Sequence, residues 1–265
     1  MSLPASNLVW KPPRPGELLR WTLPARGTLD AWIVRALSLL ARQRVLTVRG
    51  LEHVGAAHDP FILAINHSTR SESLLVPALL VLHRGGRLIH FFADWNFRLI
   101  PGIGLVYRRA QTITVTRKSA KPAFLNLFKP FYAARSSALA AARAHLAGGR
   151  SIGIFPEGTV NRDPGKLLPG HRGAALLSLA TRTPIVPAGI RFPESRGVIG
   201  DRARMQVHIG APLMPPRLAG RRPSADELHG WHGTIMGEIS RLSGKAWHQT
   251  GEQRCAEAIV CRQRA

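Results

Sequence analysis

Short runs rich in β-branched residues alternate along the chain with segments of helical periodicity, and this alternation constrains the fold most strongly. Seven runs have the composition of strands: "RVLTVRG", "FILAIN", "RLIHFFAD", "TITVTR", "SIGIFPEG", "PIVPAGIRF" and "MQVHIG". Helix-like segments lie between several of them, from Ser73 to about His83, in "SALAAARAHLAGG" and in "GAALLSLATRT". Such an order predicts an α/β fold in which a mixed, largely parallel sheet is flanked by helices.

The size of the chain predicts one main domain. It has 265 residues, of which 45% are hydrophobic, and this is enough to bury a single large core. We expect that domain over residues 45–245. Residues 1–44 are expected to form an N-terminal arm and an amphipathic helix, and residues 246–265 a C-terminal tail.

The N-terminal region changes character at about residue 27. Residues 1–26 contain five prolines and predict an extended arm, whereas "TLDAWIVRALSLLARQ" is periodic. One face of this helix carries apolar side chains (Leu29, Trp32, Ile33, Ala36 and Leu40), and the other carries polar ones (Arg35, Ser38 and Arg42). Two interpretations remain open: the apolar face packs on the core, or the helix lies in a membrane interface.

The charge of the chain favours anionic partners. There are 37 Lys and Arg against 15 Asp and Glu, a formal net charge of +22. The segment "RKSAKPAFLNLFKPFYAAR", residues 117–135, combines five basic residues, no acidic ones and several aromatics, which is typical of a lipid-facing surface. The alternative is a helical insertion whose aromatics belong to the core. No known nucleic-acid motif is present, so we do not expect nucleic acid as a partner.

Several absences in the sequence bear on its location. No stretch approaches 18 uninterrupted apolar residues, and the first 20 residues lack the apolar core of a secretory signal, so no transmembrane helix is predicted. The only two cysteines, Cys255 and Cys261, cannot build a disulfide framework or a four-cysteine zinc site. We expect a cytoplasmic protein, peripheral on the inner face of the membrane, without a metal or a cofactor.

The stretch "FILAINHSTRSESLL" places a base and an acid at the end of a predicted buried strand. His67 and Glu72 are five positions apart, and five residues of helix rotate by about 500°, so only a turn can bring the two together. The carboxyl ends of strands are where ligands bind in open α/β sheets. Glu72 there can fix the tautomer of His67 and leave one ring nitrogen as a general base. The alternative is that Glu72 only caps its helix.

A second strand, "GIFPEGT", also runs into a polar turn. Gly158 allows close approach of the backbone, and Glu157 can accept hydrogen bonds from the hydroxyls of a polyol. Neither a G-x-S-x-G nucleophile elbow nor a phosphate-binding P-loop occurs in the sequence, so a covalent serine hydrolase or a nucleotide hydrolase has no positive support.

Four blocks follow one another in the chain: "NHSTRSE" with Asn66, His67 and Glu72; "ITVTR" with Arg117, preceded by "IPGIG"; "FPEGT", residues 155–159; and "TPIVPAGI" from Thr183 to Ile190. In this order they resemble the motifs of the 1-acyl-glycerol-3-phosphate acyltransferase superfamily. The resemblance covers residues 48–212. It implies transfer of an acyl chain from acyl-CoA or acyl carrier protein to the hydroxyl of a lysophospholipid at an anionic membrane surface.

The resemblance also implies roles for particular residues. His67 would deprotonate the acceptor hydroxyl and Glu72 would orient His67, while Arg117 would bind the acceptor's phosphate through its planar guanidinium fork. Substrate-binding residues would be Asn66, Arg117, Glu157, Gly158 and Thr159. The acyl pocket would include Pro184, Val186 and Pro187.

Two departures from the family pattern leave the acceptor and the reaction open. Glu72 stands where the family commonly has aspartate, and in the second block Gln111 and Thr116 stand where glycine and an acidic residue are common. The acceptor is therefore either a lysophospholipid or a lysolipid without phosphate, such as an acylated amino acid. A thioesterase, in which water replaces the lysolipid, and a lipid-binding homologue with weak catalysis also fit these residues.

Overall fold

A computed structural model of the chain describes residues 9–116, 119–120, 122–132, 137–218 and 222–248. Its centre is an eight-stranded sheet with the order β1-β2-β8-β7-β3-β6-β4-β5. The strands are β1 (Val9–Trp10), β2 (Val45–Arg49), β3 (Ile62–Ile65), β4 (His90–Asp94), β5 (Ile113–Val115), β6 (Ile152–Ile154), β7 (Ile185–Arg191) and β8 (Met205–Ile209). The pairs β1–β2 and β7–β8 are antiparallel and the others are parallel, which confirms the predicted mixed, largely parallel α/β sheet.

Helices cover both faces of this sheet. They are α1 (Pro15–Arg20), α2 (Thr28–Arg42), α3 (Glu72–His83), α4 (Ile103–Arg109), α5 (Lys129–Tyr132), α6 (Ala138–Ala147), α7 (Gly173–Thr181) and α8 (Ala225–Ser243). One apolar core lies between the sheet and α3, and a second lies between the sheet and α6, α7 and α8. None of the helices in the described ranges is both long enough and apolar enough to cross a membrane.

The order of the strands brings the two sequence motifs to one place. Strand β3 lies between β7 and β6 and runs parallel to both. The residues after β3, from Asn66, and those after β6, from Phe155, therefore emerge at the same edge of the sheet. The fold alone thus sets "NHSTRSE" beside "FPEGT".

The N-terminal arm is more structured than the sequence indicates. The prediction of an extended segment over residues 1–26 is wrong for its described part, which contains β1 and α1. Pro15 starts α1, where its fixed φ and missing N–H suit the first helical position, and the Glu17 carboxylate accepts a hydrogen bond from the Arg14 amide at 2.6 Å. Helices α4 and α8 were not predicted from the sequence either.

Helix α2 packs with the face opposite to the most apolar one. Its buried residues are small or short: Ala31, Val34, Ser38 and Ala41. Leu29, Trp32 and Leu40 are 50%, 54% and 54% exposed. The interpretation in which the large apolar side chains pack on the core is therefore wrong for these three. Small side chains let α2 lie close to α3, and the large ones remain available for another surface.

The described part of the basic aromatic segment also turns large apolar side chains outward. Residues Ala123–Phe128 form a 3-10 helix that leads into α5. Phe124, Leu127 and Phe131 are 63%, 77% and 83% exposed, so the interpretation that they belong to the core is wrong for these three. Tyr132 anchors the segment through its ring, which lies 6.1 Å from that of Trp95.

The environment of His90, at the start of β4, indicates that the folded protein loses stability in acid. Its Nδ1 lies 3.2 Å from the carbonyl oxygen of Gln111, and its ring lies 4.1 Å from that of His145. Burial lowers the pKa of His90 from its ordinary value of 6.5 to about 4. Between these two pH values the unfolded chain binds a proton that the folded chain excludes, so the stabilisation is complete above the upper value and is lost towards the lower one.

We therefore expect acidification from neutral pH to about pH 4.5 to lower the free energy of unfolding, with His90 contributing about 2 kcal/mol of the loss. Urea unfolding of the parent and of His90→Gln at both pH values measures this contribution. The variant keeps a donor for Gln111 but does not titrate, and it should lose less stability. His58→Gln, at an exposed position, is the control. Parallel pH profiles for the parent and His90→Gln would contradict the prediction.

Candidate active site

Asn66 ties the end of β3 to β7. Its side chain is fully buried; Oδ1 accepts a hydrogen bond from the Ile190 amide at 2.6 Å, and Nδ2 donates to the Ile190 carbonyl at 3.3 Å. Asn66 thus extends the strand pairing by one side chain and fixes the direction in which the chain enters the turn. A substrate-binding role was predicted for Asn66, and the structure places it behind the turn instead of at its surface.

His67 and Glu72 meet across the turn. Nδ1 of His67 lies 2.7 Å from Oε1 of Glu72. This short contact favours the tautomer that carries the proton on Nδ1, which leaves Nε2 as the basic nitrogen. None of the described residues hydrogen-bonds to Nε2, and the His67 side chain is 15% exposed. The geometry therefore presents one ring nitrogen of a carboxylate-oriented imidazole to a substrate.

The glutamate at position 72 is fully accommodated. As the first residue of α3, it reaches back over the turn, where Oε1 also accepts a hydrogen bond from the Ser68 amide and Oε2 accepts one from the Thr69 hydroxyl at 3.2 Å. Burial raises the pKa of the Glu72 carboxyl, and the hydrogen bond with His67 opposes that rise. The additional methylene is taken up by this path, so the departure from aspartate does not separate the pair.

Glu157 holds the backbone of the same turn. It is 4% exposed, and its Oε1 accepts a hydrogen bond from the His67 amide at 3.0 Å. Its Oε2 accepts from Asn161 Nδ2 at 2.7 Å and from the Leu168 amide at 2.9 Å. The Asn161 amide in turn donates to the His67 carbonyl at 2.7 Å. The "FPEGT" motif thus holds the turn that carries His67, a task that the sequence did not indicate for Glu157.

The two residues after Glu157 lie at the surface of the site. Gly158 and Thr159 are exposed. Gly158 has φ +66°, a backbone conformation that favours glycine, and the nearest atoms to a Cβ added there are those of the exposed His171 ring, with Cδ2 at 2.6 Å. The substrate-binding role of Gly158 and Thr159 stays a prediction.

Phe155 connects the base to an apolar cavity. Its ring stacks on the His67 imidazole, with the centroids 4.4 Å apart, and it also lines the cavity. The remaining walls come from α2, α3, β4 and α4, and include Val34, Leu37, Leu74, Pro77, Ala78, Phe92 and Tyr107. Of the residues predicted to form the acyl pocket, Val186 and Pro187 are buried in β7 and Pro184 directly precedes that strand; none of the three lines this cavity.

Some candidate residues lie elsewhere. Arg117 is outside the described residues, so the phosphate-binding role of Arg117 stays a prediction. Cys255 and Cys261 also lie outside the described residues. In contrast, Asn161, Phe155 and Lys245 take part in the site although no role was predicted for them. Lys245 Nζ donates to Ser68 Oγ at 2.7 Å across 177 positions of the chain, a contact that no local pattern indicates.

This arrangement can carry out base-assisted attack by a hydroxyl. A neutral imidazole that is oriented by a buried carboxylate can take the proton of an alcohol or of water as its oxygen attacks a carbonyl carbon. The adjoining apolar cavity suits a hydrocarbon chain attached to that carbonyl. A substrate with a hydrocarbon chain attached to a reactive carbonyl is a fatty acyl group, and the site suits a substrate of this kind.

Comparison with known proteins agrees with this chemistry. The 1-acyl-sn-glycerol-3-phosphate acyltransferase of Bacillus subtilis (strain 168) is 23% identical over 189 residues, which are 71% of this chain and 84% of that protein. The crystal structure of the 1-acyl-sn-glycerophosphate (LPA) acyltransferase PlsC from Thermotoga maritima has a TM-score of 0.53 at 20% identity, covers 88% of this chain and 90% of that chain, and shares the fold. The model of the family described as Acyltransferase matches residues 45–191, more than half of the chain, and this segment contains both motifs of the site. With the turn of His67 and the "FPEGT" loop inside that match, the chain belongs to the acyltransferase family.

Proposed function

We propose that this protein transfers a fatty acyl chain from acyl-CoA or acyl carrier protein to the hydroxyl of a lysophospholipid such as 1-acyl-glycerol-3-phosphate, in phospholipid biosynthesis. The observation that carries the proposal is the position of His67, which is oriented by Glu72 at 2.7 Å and stacked on a wall of an apolar cavity. The B. subtilis and T. maritima relatives, whose names give this acceptor, support the substrate class.

The reaction would proceed without a covalent enzyme intermediate. Nε2 of His67 takes the proton of the acceptor hydroxyl while the oxygen forms its bond to the thioester carbonyl carbon. The carbon–sulfur bond then breaks, and the imidazolium returns the proton to the departing thiolate. Glu72 stabilises the imidazolium during this exchange, because its carboxylate accepts the Nδ1–H hydrogen bond throughout.

Release of thiol from acyl-CoA separates a transferase from a thioesterase and from a binding protein. A transferase releases thiol only when an acceptor is present, a thioesterase releases it equally without one, and a lipid-binding homologue releases none. The acceptors to compare are 1-acyl-glycerol-3-phosphate, other lysophospholipids and an acylated amino acid. We expect release to depend on a phosphate-bearing lysolipid. Release that is independent of every acceptor would overturn the proposal.

The apolar cavity between α2, α3, β4 and α4 is the proposed site of the acyl chain. It begins at Phe155, which stacks on the His67 ring, and α2 and α3 form two of its walls. Depth in such a cavity limits the number of methylenes that can be buried, and each methylene contributes about 0.8 kcal/mol.

Filling this cavity is expected to shorten the preferred acyl chain. Ala78 lies on α3 and lines the cavity, so Ala78→Leu should lower kcat/KM for palmitoyl-CoA by about tenfold while octanoyl-CoA is used almost as well as before. Ala144→Leu, at an exposed position of α6, is the matched control. An equal loss with both donors would show that Ala78 acts through packing and not through the acyl chain.

We further propose that the protein works as a peripheral protein at an anionic membrane. The exposed apolar residues of α2 and of residues 123–132 belong to neighbouring parts of the fold, with α4 between them. On one side, Arg109 of α4 lies 3.3 Å from Asp30 of α2. On the other side, α4 packs beside the 3-10 helix Trp95–Leu99, and the Trp95 ring contacts that of Tyr132. Residues 1–44 carry seven basic and two acidic side chains, and residues 117–135 carry five basic and none acidic. Apolar and basic groups together favour an anionic lipid surface.

Co-sedimentation with vesicles tests this attachment. Binding to anionic vesicles should fall as salt rises and should be weak with neutral vesicles, because each basic residue contributes about 1 kcal/mol near an anionic surface and salt screens it. The double variant Trp32→Ser and Phe131→Ser should bind several-fold less, whereas Met214→Ser, which is also exposed but lies elsewhere, should bind as the parent does. Equal binding to both kinds of vesicle at every salt concentration would contradict the proposal.

A further inference from the structure

Lys245 is a buried cation beside the turn that carries His67. Its side chain is 3% exposed, and Nζ donates to Ser68 Oγ at 2.7 Å and to the Asn161 carbonyl at 3.4 Å. Both acceptors adjoin His67, since Ser68 follows it in the chain and the Asn161 amide binds its carbonyl. A buried ammonium is costly unless it is compensated, so this placement requires a compensating charge nearby.

The backbone around Lys245 fixes the direction of its side chain. Gly244 ends α8 with φ +73°, and its amide donates to the Ser240 carbonyl at 2.9 Å. The chain then runs beside the loop that follows "FPEGT": the Ala246 amide donates to the Gly165 carbonyl at 2.7 Å, and the Leu167 amide donates to the Ala246 carbonyl at 2.9 Å. Lys245 is held between these two anchors and is directed inward.

The charges around Lys245 are those of the site itself. The carboxylates that attract its ammonium are Glu157 in the "FPEGT" loop, Glu72 in α3 and exposed Asp163 in the following loop. Burial lowers the pKa of Lys245, and attraction by these three carboxylates opposes that shift. Among the buried groups of the site, Glu72 and Glu157 can carry two negative charges and Lys245 one positive charge.

We propose, on the basis of the acyl transfer proposed above, that Lys245 is a positioning residue for the His67–Glu72 pair: it holds Ser68 in place and keeps the pair in its proton-accepting form at neutral pH. Without the ammonium, the two buried carboxylates would bind an additional proton more readily. The Glu72 carboxyl, whose pKa is already raised by burial, would then be neutralised at a higher pH, and a smaller fraction of the protein would hold the charged carboxylate that orients the imidazole.

The test is a pH titration of the His67–Glu72 pair in the full-length chain, monitored by NMR on protein with isotope-labelled histidine. The His67 signal is assigned through its loss in His67→Gln. Lys245→Met should raise the pH midpoint of the pair by about one unit, because an opposite charge has been removed. Lys166→Met, which removes a positive charge from the exposed facing segment, should leave the midpoint unchanged. A Lys245→Met midpoint equal to that of the parent would overturn the inference.

Two further measurements distinguish this role from a purely structural one. The acidic limb of the kcat profile for acyl transfer should move upward by the same amount in Lys245→Met, while KM for acyl-CoA stays within about threefold. If Lys245→Met does not fold, Lys245→Gln keeps a donor for Ser68 without the charge and carries the same test. A shifted NMR midpoint in a protein that transfers no acyl chain would reject the proposed function and leave the role of Lys245 intact.

Discussion

Replacing His67 with alanine is expected to lower turnover of a lysolipid acceptor by roughly 10²- to 10⁴-fold, the usual contribution of a positioned general base. The imidazole is the group whose free nitrogen faces the site, and in the described part of the chain no second imidazole contacts Glu72. Folding should be preserved, because the His67 backbone carries the contacts with Glu157 and Asn161 and the side chain contributes the contact with Glu72 and the stacking on Phe155.

The matched control is His58→Ala. His58 is exposed and precedes the opposite end of β3, so its loss removes the same kind of side chain beside the same strand without touching the site. Initial rates of acyl transfer at saturating acceptor measure the effect, and thermal unfolding checks that both variants fold. If His67→Ala kept most of the parent's turnover while His58→Ala was unaffected, His67 could not be the base.

Changing the acid tests the pairing of the two residues. Glu72→Gln keeps the size of the side chain but loses the charge that stabilises the imidazolium, and its amide cannot accept hydrogen bonds from both His67 Nδ1 and the Ser68 amide as well as from the Thr69 hydroxyl. We expect turnover to fall by at least about 10²-fold. Glu72→Asp keeps the charge but is one methylene too short for this turn, so it should retain partial activity.

Stability separates this effect from misfolding. Glu72→Gln leaves a buried donor of this turn unsatisfied, so it should unfold at a lower temperature than the parent, and turnover is compared at a temperature where thermal unfolding shows both proteins to be folded. If the glutamine variant turned over lysolipid as fast as the parent, Glu72 would serve only to start α3. The paired interpretation of His67 and Glu72 would then have to be abandoned.

The parts of the site that the sequence predicted are local in the chain. His67 and Glu72 are separated by one turn, so the strand pattern before them and the helix pattern after them indicated that they could meet, with helix capping by Glu72 as the alternative. Glu157 was placed at the right edge of the sheet, but its orientation depends on Asn161 and Leu168, whose positions follow from the path of a loop. Lys245 depends on the docking of α8 and was missed for the same reason.

Helix α2 shows the limit of periodicity. The sequence pattern correctly grouped Leu29, Trp32 and Leu40 on one face, but it did not decide whether that face or the opposite one packs on α3. Close packing of the two helices favoured the face of Ala31 and Ala41, because small side chains allow the backbones to approach. Hydrophobicity alone predicts that the most apolar face of α2 is buried, whereas in the structure the face with the smaller side chains is buried.

The order of the strands also governs when the site can form during synthesis. Strand β8, at Met205–Ile209, lies inside the sheet between β7 and β2, which begins at Val45. The strands from β3 to β7 can associate as they leave the ribosome, but β1 and β2 must wait for β8, a loop closure of long sequence separation and hence slow. Helix α8 follows β8. The turn with His67 and Glu72 is therefore expected to form before α8 and Lys245 reach it.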